Sequence, residues 1–400
     1  MHLKDATRPR PTVMAIYCPL WHRHDHMDSW KGEGWNEWEL VKSAKPRFPG
    51  HYQPIRPSWG LFDESDPKWA AKEIDLAADN GIDVFLVDWY WYSGAKIMEE
   101  ALERGFLRAP NRKRLKFTLM WANHDWADYF PAPPTTSAEW NQWLPSRHSP
   151  GDLLRAMDYC AEHYFSQPNY WKVDGSLFYS IFDAERFVSH LGGPAKTKRL
   201  LKKIDQRLHA RGLPSIHWNV MTYNAKLLPK YEAAGFHSAT SYNVNSPGES
   251  VNVNSAIQKS NAKKGIIRYE DIISAHHRNW DTFSRSKLDY FPVVTLGWDC
   301  TPRCQTDVAW PFPSTSHYPY APVVTGNTPK RFEQLCRDAV QHLGKTKTAT
   351  NVVMINAWNE WTEGCYLLPE KRYGDGYLRA LRNVFGVAEP KGKGKKKSGV

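Results

Sequence analysis

Two acidic residues three positions apart, Glu360 and Glu363, stand in the stretch INAWNEWTEGCYLLPE (355–370), with Trp358 and Trp361 beside them. An apolar run, Val352-Val353-Met354-Ile355, leads directly into the pair. On a helical first turn this spacing sets the two Cβ atoms about 5–6 Å apart. Carboxylates that share a partly dehydrated pocket resist double ionisation, so one pKa rises and that group can serve as an acid. Glycosidic cleavage needs one such acid and one base or nucleophile, and a close pair favours retention of configuration. Either glutamate could instead cap a helix N-terminus through backbone N–H groups, and spacing alone leaves that role open.

Something must carry both groups to one place. Short β-rich runs recur at 12–18, 83–91, 116–122, 177–183, 215–220, 238–244, 291–299 and 351–358, with SATSYNV (238–244) the most polar. Helical patterns lie between them, as at 66–81, 197–212 and 328–344, each with apolar spacing near 3.6. Eight strands alternating with helices predict an α/β fold, a (β/α)8 barrel, with an open doubly wound sheet as the alternative. Long insertions follow the first, third and seventh strands (19–65, 123–150, 300–327) and would form the active-site face. In such barrels chemistry sits at the C-terminal strand ends. Those ends would bring Tyr17, Asp88, Tyr90, Trp91, Asn123, His124, Trp126, Tyr242, Trp298, Asp299 and Asn359 to the rim that holds Glu360 and Glu363. A polar pocket with aromatic walls suits a carbohydrate better than an apolar ligand.

The composition agrees with a globular chain. Nineteen tryptophans among 400 residues exceed ordinary usage, and flat C–H faces of sugars stack on indole. About half of these rings are expected in the core. We expect one catalytic domain over 1–388 and a disordered Lys/Gly-rich tail over 389–400. Its last ten residues, KGKGKKKSGV, carry five lysines of the +11 net charge, which leaves +6 for the rest. The remainder is compatible with an anionic glycan, sulfated or uronic. Nothing resembles a nucleic-acid module, and no run of 18 apolar residues offers a membrane span. Six dispersed cysteines suggest reduced thiols; Cys300 and Cys304 lack the second close pair that a zinc ribbon requires. The N-terminal MHLKDATRPRP has no apolar signal core. As it stands the chain reads as cytoplasmic, or as periplasmic or secreted if a signal segment has been removed. Oligomeric state is not readable. The alternating histidines of WHRHDHMD (21–28) could ligate a transition metal only if a third ligand converged. A solvated loop with one sugar contact is the favoured reading, with no metal and no cofactor.

Several longer motifs occur in order: YCPLWH (17–22), GWNEW (34–38), FPGHYQP (48–54), NGIDVFLVDWYWYSG (80–94), WANHDW (121–126), GWDCTPR (297–303) and NAWNEWTEG (356–364). With them the chain resembles, over nearly its whole length, the WbsX-type proteins, a group similar to glycoside hydrolase family 99. The resemblance implies a (β/α)8 barrel acting on glycans without a metal. By its N-E-W-x-E-G motif Glu363 would be the general acid/base. Glu360 would take the proton of the substrate 2-hydroxyl, which attacks the anomeric carbon to give a 1,2-anhydro sugar. That route needs an α-linked manno-configured sugar, mannose- or rhamnose-type, and implies retaining, endo-acting cleavage. His22, Glu37 and Trp38 match the group and are expected at the sugar. Asp299 would accept hydrogen bonds, and Arg303 would pair with an acid or meet a substrate anion. Trp89, His124, Asp125 and Cys300 depart from the group's usual residues, so the sugar recognised can differ. WbsX-type proteins are commonly labelled glycosyltransferases, which keeps transfer during surface-polysaccharide assembly, or non-catalytic glycan binding, as alternatives. No Asp-x-Asp or Gly-rich diphosphate loop is evident.

Overall fold

A computed structural model describes residues 9–128, 130–134, 142–244, 264–312, 318–346 and 348–386; the tail expected at 389–400 lies outside them. Eight strands form one parallel sheet: β1 (Thr12–Tyr17), β2 (Val84–Tyr92), β3 (Lys116–Trp121), β4 (Ser176–Ile181), β5 (Ile216–Met221), β6 (Ser238–Thr240), β7 in two halves (Asp289–Tyr290 and Val293–Thr295) and β8 (Val352–Asn356). Strands β1 to β6 pair in chain order. The first half of β7 pairs with β6, its second half with β8, and β8 with β1. The ring therefore closes, and the fold is a (β/α)8 barrel. Pro292, which has no N–H to give a ladder, falls between the halves of β7, and its carbonyl accepts the Met354 N–H at 3.0 Å.

The strands are legible because both of their faces are covered. All nine residues of β2 and all five of β8 are buried, as expected for strands with packed side chains inside and helices outside. The polar β6 survives by pairing its hydroxyls. Ser238 Oγ accepts from Asn219 Nδ2 at 2.9 Å, and Thr240 Oγ1 donates to the Phe291 carbonyl at 2.9 Å.

Outside the strands lie helices α1 (Pro67–Asp79), α2 (Pro150–Cys160), α3 (Pro194–His209), α4 (Tyr269–Phe283), α5 (Pro329–Lys345) and α6 (Gly376–Phe385), among shorter ones. Four of these six begin with proline, where its missing N–H costs nothing. Asp66, Ser149 and Thr328 cap α1, α2 and α5 through their side chains. The link from β2 to β3 is not a regular α-helix but a wide turn, Ala101–Gly105, followed by a tight one, Phe106–Arg108. No described helix is long and apolar enough to cross a membrane.

Candidate active site

Beyond β8 the chain does not enter an α-helix. Asn359–Glu360 and Cys365–Tyr366 pair as a short antiparallel hairpin, closed by the tight turn Trp361–Glu363. Glu360 stands on one arm and Glu363 on a single 3₁₀ turn, which does not continue into the longer helix that a helical first turn would open. Gly364 completes the turn at φ +67°, where a Cβ would lie 2.9 Å from Asp299 Cβ. Gly297 leaves room for the same approach, since a Cβ there would lie 3.0 Å from the Gly364 carbonyl oxygen. Trp358 and Trp361 are fully buried and support the hairpin; Trp361 stacks on Tyr366 at 4.4 Å. They are not pocket walls.

The hairpin faces a cavity of about 610 Å³ at the C-terminal ends of the strands, within the range of organic-ligand clefts. One guanidinium organises its floor. Arg303 donates to Glu363 Oε1 at 2.5 Å and to Glu360 Oε1 at 2.9 Å. Thr362 Oγ1 adds a bond to Glu360 at 3.0 Å, and the Tyr318 hydroxyl one to Glu363 Oε1 at 2.5 Å. Glu363 Oε2 has no protein partner, nor have Asp88 Oδ1 and Glu37 Oε2. Burial pushes the Glu363 carboxyl up to about 7, against the pull of Arg303 and with a further push from Glu360. Glu360, Asp88 and Glu37 are also raised, burial first in each case. A protonated acid and an ionised base can therefore coexist near neutral pH.

Of the residues expected at the site, Glu37, Asp88, Tyr90, His124, Trp126, Tyr242, Trp298, Arg303, Glu360 and Glu363 line this cavity. Burial keeps His124 neutral, with Nδ1 donating to the Asp125 carbonyl at 2.8 Å. Tyr17, His22, Trp38, Trp91, Asn123, Asp299 and Asn359 do not line it. Strand parity explains two of them. Asp88 and Tyr90 face the cavity, so Trp91 points outward and donates to Asp152 at 3.2 Å. Tyr17 likewise turns toward α1, its hydroxyl 3.4 Å from Glu73. Asn123 links the ends of β3 and β4, donating to the Asp183 carbonyl at 3.0 Å and accepting the Asp183 N–H at 2.6 Å. Asn359 clamps both backbone groups of Cys18, at 2.7 and 2.9 Å. Trp38 packs on Trp21 and donates to the Phe62 carbonyl at 2.8 Å.

Asp299 ties loops together. It accepts from His51 at 2.8 Å, Gln53 at 2.7 Å and Thr301 at 2.6 Å. Those bonds hold its carboxyl below the usual range although burial pushes the other way. His22 and His24 form a latch with Glu100 and Glu99. His22 Nε2 lies 3.1 Å from Glu100, and His24 Nε2 lies 3.4 Å from Glu99 and 3.6 Å from Glu100. His24, Glu99 and Glu100 lie close enough to hold a cation. However, His24 Nδ1 accepts the His26 N–H at 3.1 Å, so the Nε2 of that ring bears hydrogen and donates to the carboxylates. Lys96, 3.3 Å from Glu99, adds a positive charge. The donor set fits a hydrogen-bonded latch better than a metal site. All six cysteines are buried and free.

The cavity also contains residues the sequence did not single out. Lys31, Trp35 and Trp143 form one wall, with the Lys31 ammonium 5.2 Å from the Trp143 ring centre. Glu185, Tyr223 and Asn224 form another, beside Asp183, which as a strand-end residue was expected at the rim. Tyr318, 41 % exposed, stands at the mouth. Trp35 had a signal, since it shares the GWNEW motif with Glu37. Tyr318 had none.

The sequence profile of a family described as Glycosyltransferase WbsX matches residues 13–381. The chain belongs to that WbsX family. Two proteins named uncharacterized protein WxcX, from two strains of Xanthomonas campestris pv. campestris, are each 25 % identical over 380 residues. This alignment covers 94 % of the chain but 49 % of each relative, so the chain spans about half their length. Among solved structures, a glycoside hydrolase-like protein aligns with TM-score 0.60 and 14 % identity, covering 95 % of both chains. A GH99 endo-α-mannosidase from Bacteroides thetaiotaomicron aligns with TM-score 0.53 and 16 % identity, covering 94 % of this chain and 96 % of its own. At such identities the likeness establishes the shared barrel.

Proposed function

We propose that the chain is a retaining glycoside hydrolase that cleaves an α-linked manno-configured glycan internally. The observation that carries this reading is Arg303 holding Glu360 and Glu363 together at the floor of a cleft, with Glu363 Oε2 left without a protein partner. In the first step protonated Glu363 gives its proton to the leaving glycosidic oxygen. Glu360 takes the proton of the 2-hydroxyl, O2 bonds to the anomeric carbon, and the anomeric C–O bond breaks. The products are a 1,2-anhydro sugar and the free leaving alcohol. In the second step Glu363 takes a proton from water, whose oxygen opens the anhydro ring at the anomeric carbon. Glu360 returns its proton to O2, and two inversions give retention. The motif match and the barrel shared with an endo-α-mannosidase support this route.

The substrate segment in the cleft is uncharged in this reading. Glu37, Asp88, Asp183, Glu185, Glu360 and Glu363 line the cavity, against Lys31 and Arg303. Both cations already have carboxylate partners, Asp128 for Lys31 and the glutamate pair for Arg303. A sulfate or uronate would meet net repulsion, so the positive charge of the chain argues no longer for an anionic glycan.

The test is hydrolysis of defined mannose-, rhamnose- and fucose-containing polysaccharides, with product anomers followed by NMR and neutral and uronic forms compared. Glu363→Gln is expected to lose about 10²–10⁴-fold in turnover while glycan binding survives. Near-normal hydrolysis by that variant would remove Glu363 from the role of acid. The family's name favours a second reading, sugar transfer, in which a sugar hydroxyl replaces water in the second step. Transfer from a nucleotide-sugar donor without hydrolysis would support it.

A further inference from the structure

Behind the active pair lies a second pair of buried carboxyl groups that the proposed chemistry does not use. Glu64 precedes α1 and Glu73 lies within it; they are 0 % and 1 % exposed. Each grips one residue of the segment that leads to Glu360. The Trp358 indole N–H donates to Glu73 Oε1 at 2.9 Å, and Asn359 Nδ2 donates to Glu64 Oε1 at 2.6 Å. The groups that act most strongly on the two carboxyls are each other, the Tyr17 hydroxyl, Trp358, Asn359 and the Trp21 backbone. None of these is a cation. Two buried carboxyls without a counter-charge cannot both ionise, because neither desolvation nor mutual repulsion is offset. Glu64 Oε2, which makes no other hydrogen bond, is free to carry the retained proton.

We propose that Glu64 and Glu73 keep one proton between them instead of both ionising, and act as positioning residues, anchoring Trp358 and Asn359 so that Glu360 and Glu363 meet the cleft at a fixed angle. The consequence for catalysis rests on the hydrolase reading; the retained proton does not. Burial lifts Glu73 to about 8 and Glu64 well above its ordinary value, in line with a proton held through neutral pH. When both groups ionise, repulsion parts them, the indole and amide anchors slacken, and the 359–366 hairpin loosens.

The sign of the linkage is fixed. A carboxyl raised from 4.5 unfolded to about 8 folded stabilises fully below 4.5, and that stability drains away as pH climbs through 8. The folding equilibrium constant falls by up to about tenfold per pH unit in that window for one proton. Glu73→Gln cannot ionise and keeps an oxygen for the Trp358 N–H. Two measurements on the full chain test the idea without any substrate. Urea unfolding from pH 5 to 9 should show the Glu73→Gln curve flatter than wild type by one proton. Hydrogen–deuterium exchange over 356–366, corrected for intrinsic rates, should rise about tenfold from pH 6 to 9 in wild type and stay level in Glu73→Gln. Parallel behaviour of the two proteins in both measurements would overturn the proposal. So would failure of both Glu73→Gln and Glu64→Gln to fold, since that would mean a negative charge is required. With a hydrolysed glycan in hand, Glu64→Leu should lose more kcat than Glu64→Gln at unchanged KM. Equal losses would refute positioning while leaving the hydrolase reading untouched.

Discussion

Glu363 owes its character to three neighbours that pull in different directions. Burial raises its pKa to about 7; Arg303 lowers it, Glu360 raises it again, and the Tyr318 hydroxyl lowers it. Tyr318→Phe removes a donor that favours the ionised form, so the carboxyl should stay protonated to higher pH. The alkaline limb of kcat/KM should then move upward, by on the order of one pKa unit. A limb that stays in place would show that a different group reports there. Arg303→Met should do more damage, because it leaves two buried carboxyls without their shared cation; kcat is expected to fall by at least about 10²-fold. The place of Glu360, Glu363, Asp88 and Arg303 at the cleft was legible, because charged residues beyond strand ends have few other reasons to be there. Tyr318 was not. Its link to Glu363 spans 45 residues, and no local pattern announces a tertiary contact.

The hairpin beyond β8 shows where patterning stops being informative. Eight strands could be read because strands covered on both faces are continuous apolar runs. The same coverage erases the inside/outside alternation, so parity at the strand ends was unreadable. Tyr17 and Trp91 were therefore expected in a cleft from which they point away. The turn that carries Glu363 was read as the first turn of a helix, whereas it is a single 3₁₀ turn that Gly364 reverses. At that position the constraint is geometric: φ is +67°, and a Cβ would press on both Cβ (2.9 Å) and N (3.1 Å) of Asp299. Gly364→Ala should destabilise by about 2 kcal/mol or more and misplace Glu363. Gly344→Ala in α5, where a Cβ meets nothing within 4 Å, should instead stabilise by roughly 0.5–1 kcal/mol. Denaturant midpoints of the two variants, with activity alongside, separate a specific constraint from general intolerance of alanine.

Charge and protonation are arranged across the molecule. The cleft gathers carboxyls, whereas the exposed arc of α3 carries Lys196, Lys198, Arg199, Lys202 and Lys203. The positive balance of the sequence thus sits in part on an outer wall, so net charge does not describe the cleft. Buried groups pull stability both ways. His148, His217 and His276 are each lowered to about 3, by burial first. His276 is locked neutral, its Nδ1 donating to the Ile272 carbonyl at 2.8 Å and its Nε2 accepting the Thr295 N–H at 3.1 Å, so it staples α4 to β7. A histidine depressed from 6.5 to about 3 leaves the unfolded chain binding more protons between those values. Its stabilising effect is therefore complete above 6.5 and lost as pH falls toward 3, by up to about tenfold in the folding constant per pH unit. The raised carboxyls act in the opposite sense, losing stability as pH climbs toward 7 and 8. Stability should peak near pH 5–7 and fall on both sides. His276→Gln should flatten only the acid side of the urea-midpoint profile, and Glu73→Gln only the alkaline side. A wild-type profile that stays level from pH 4 to 9 would mean these groups do not carry the protonation states their surroundings impose.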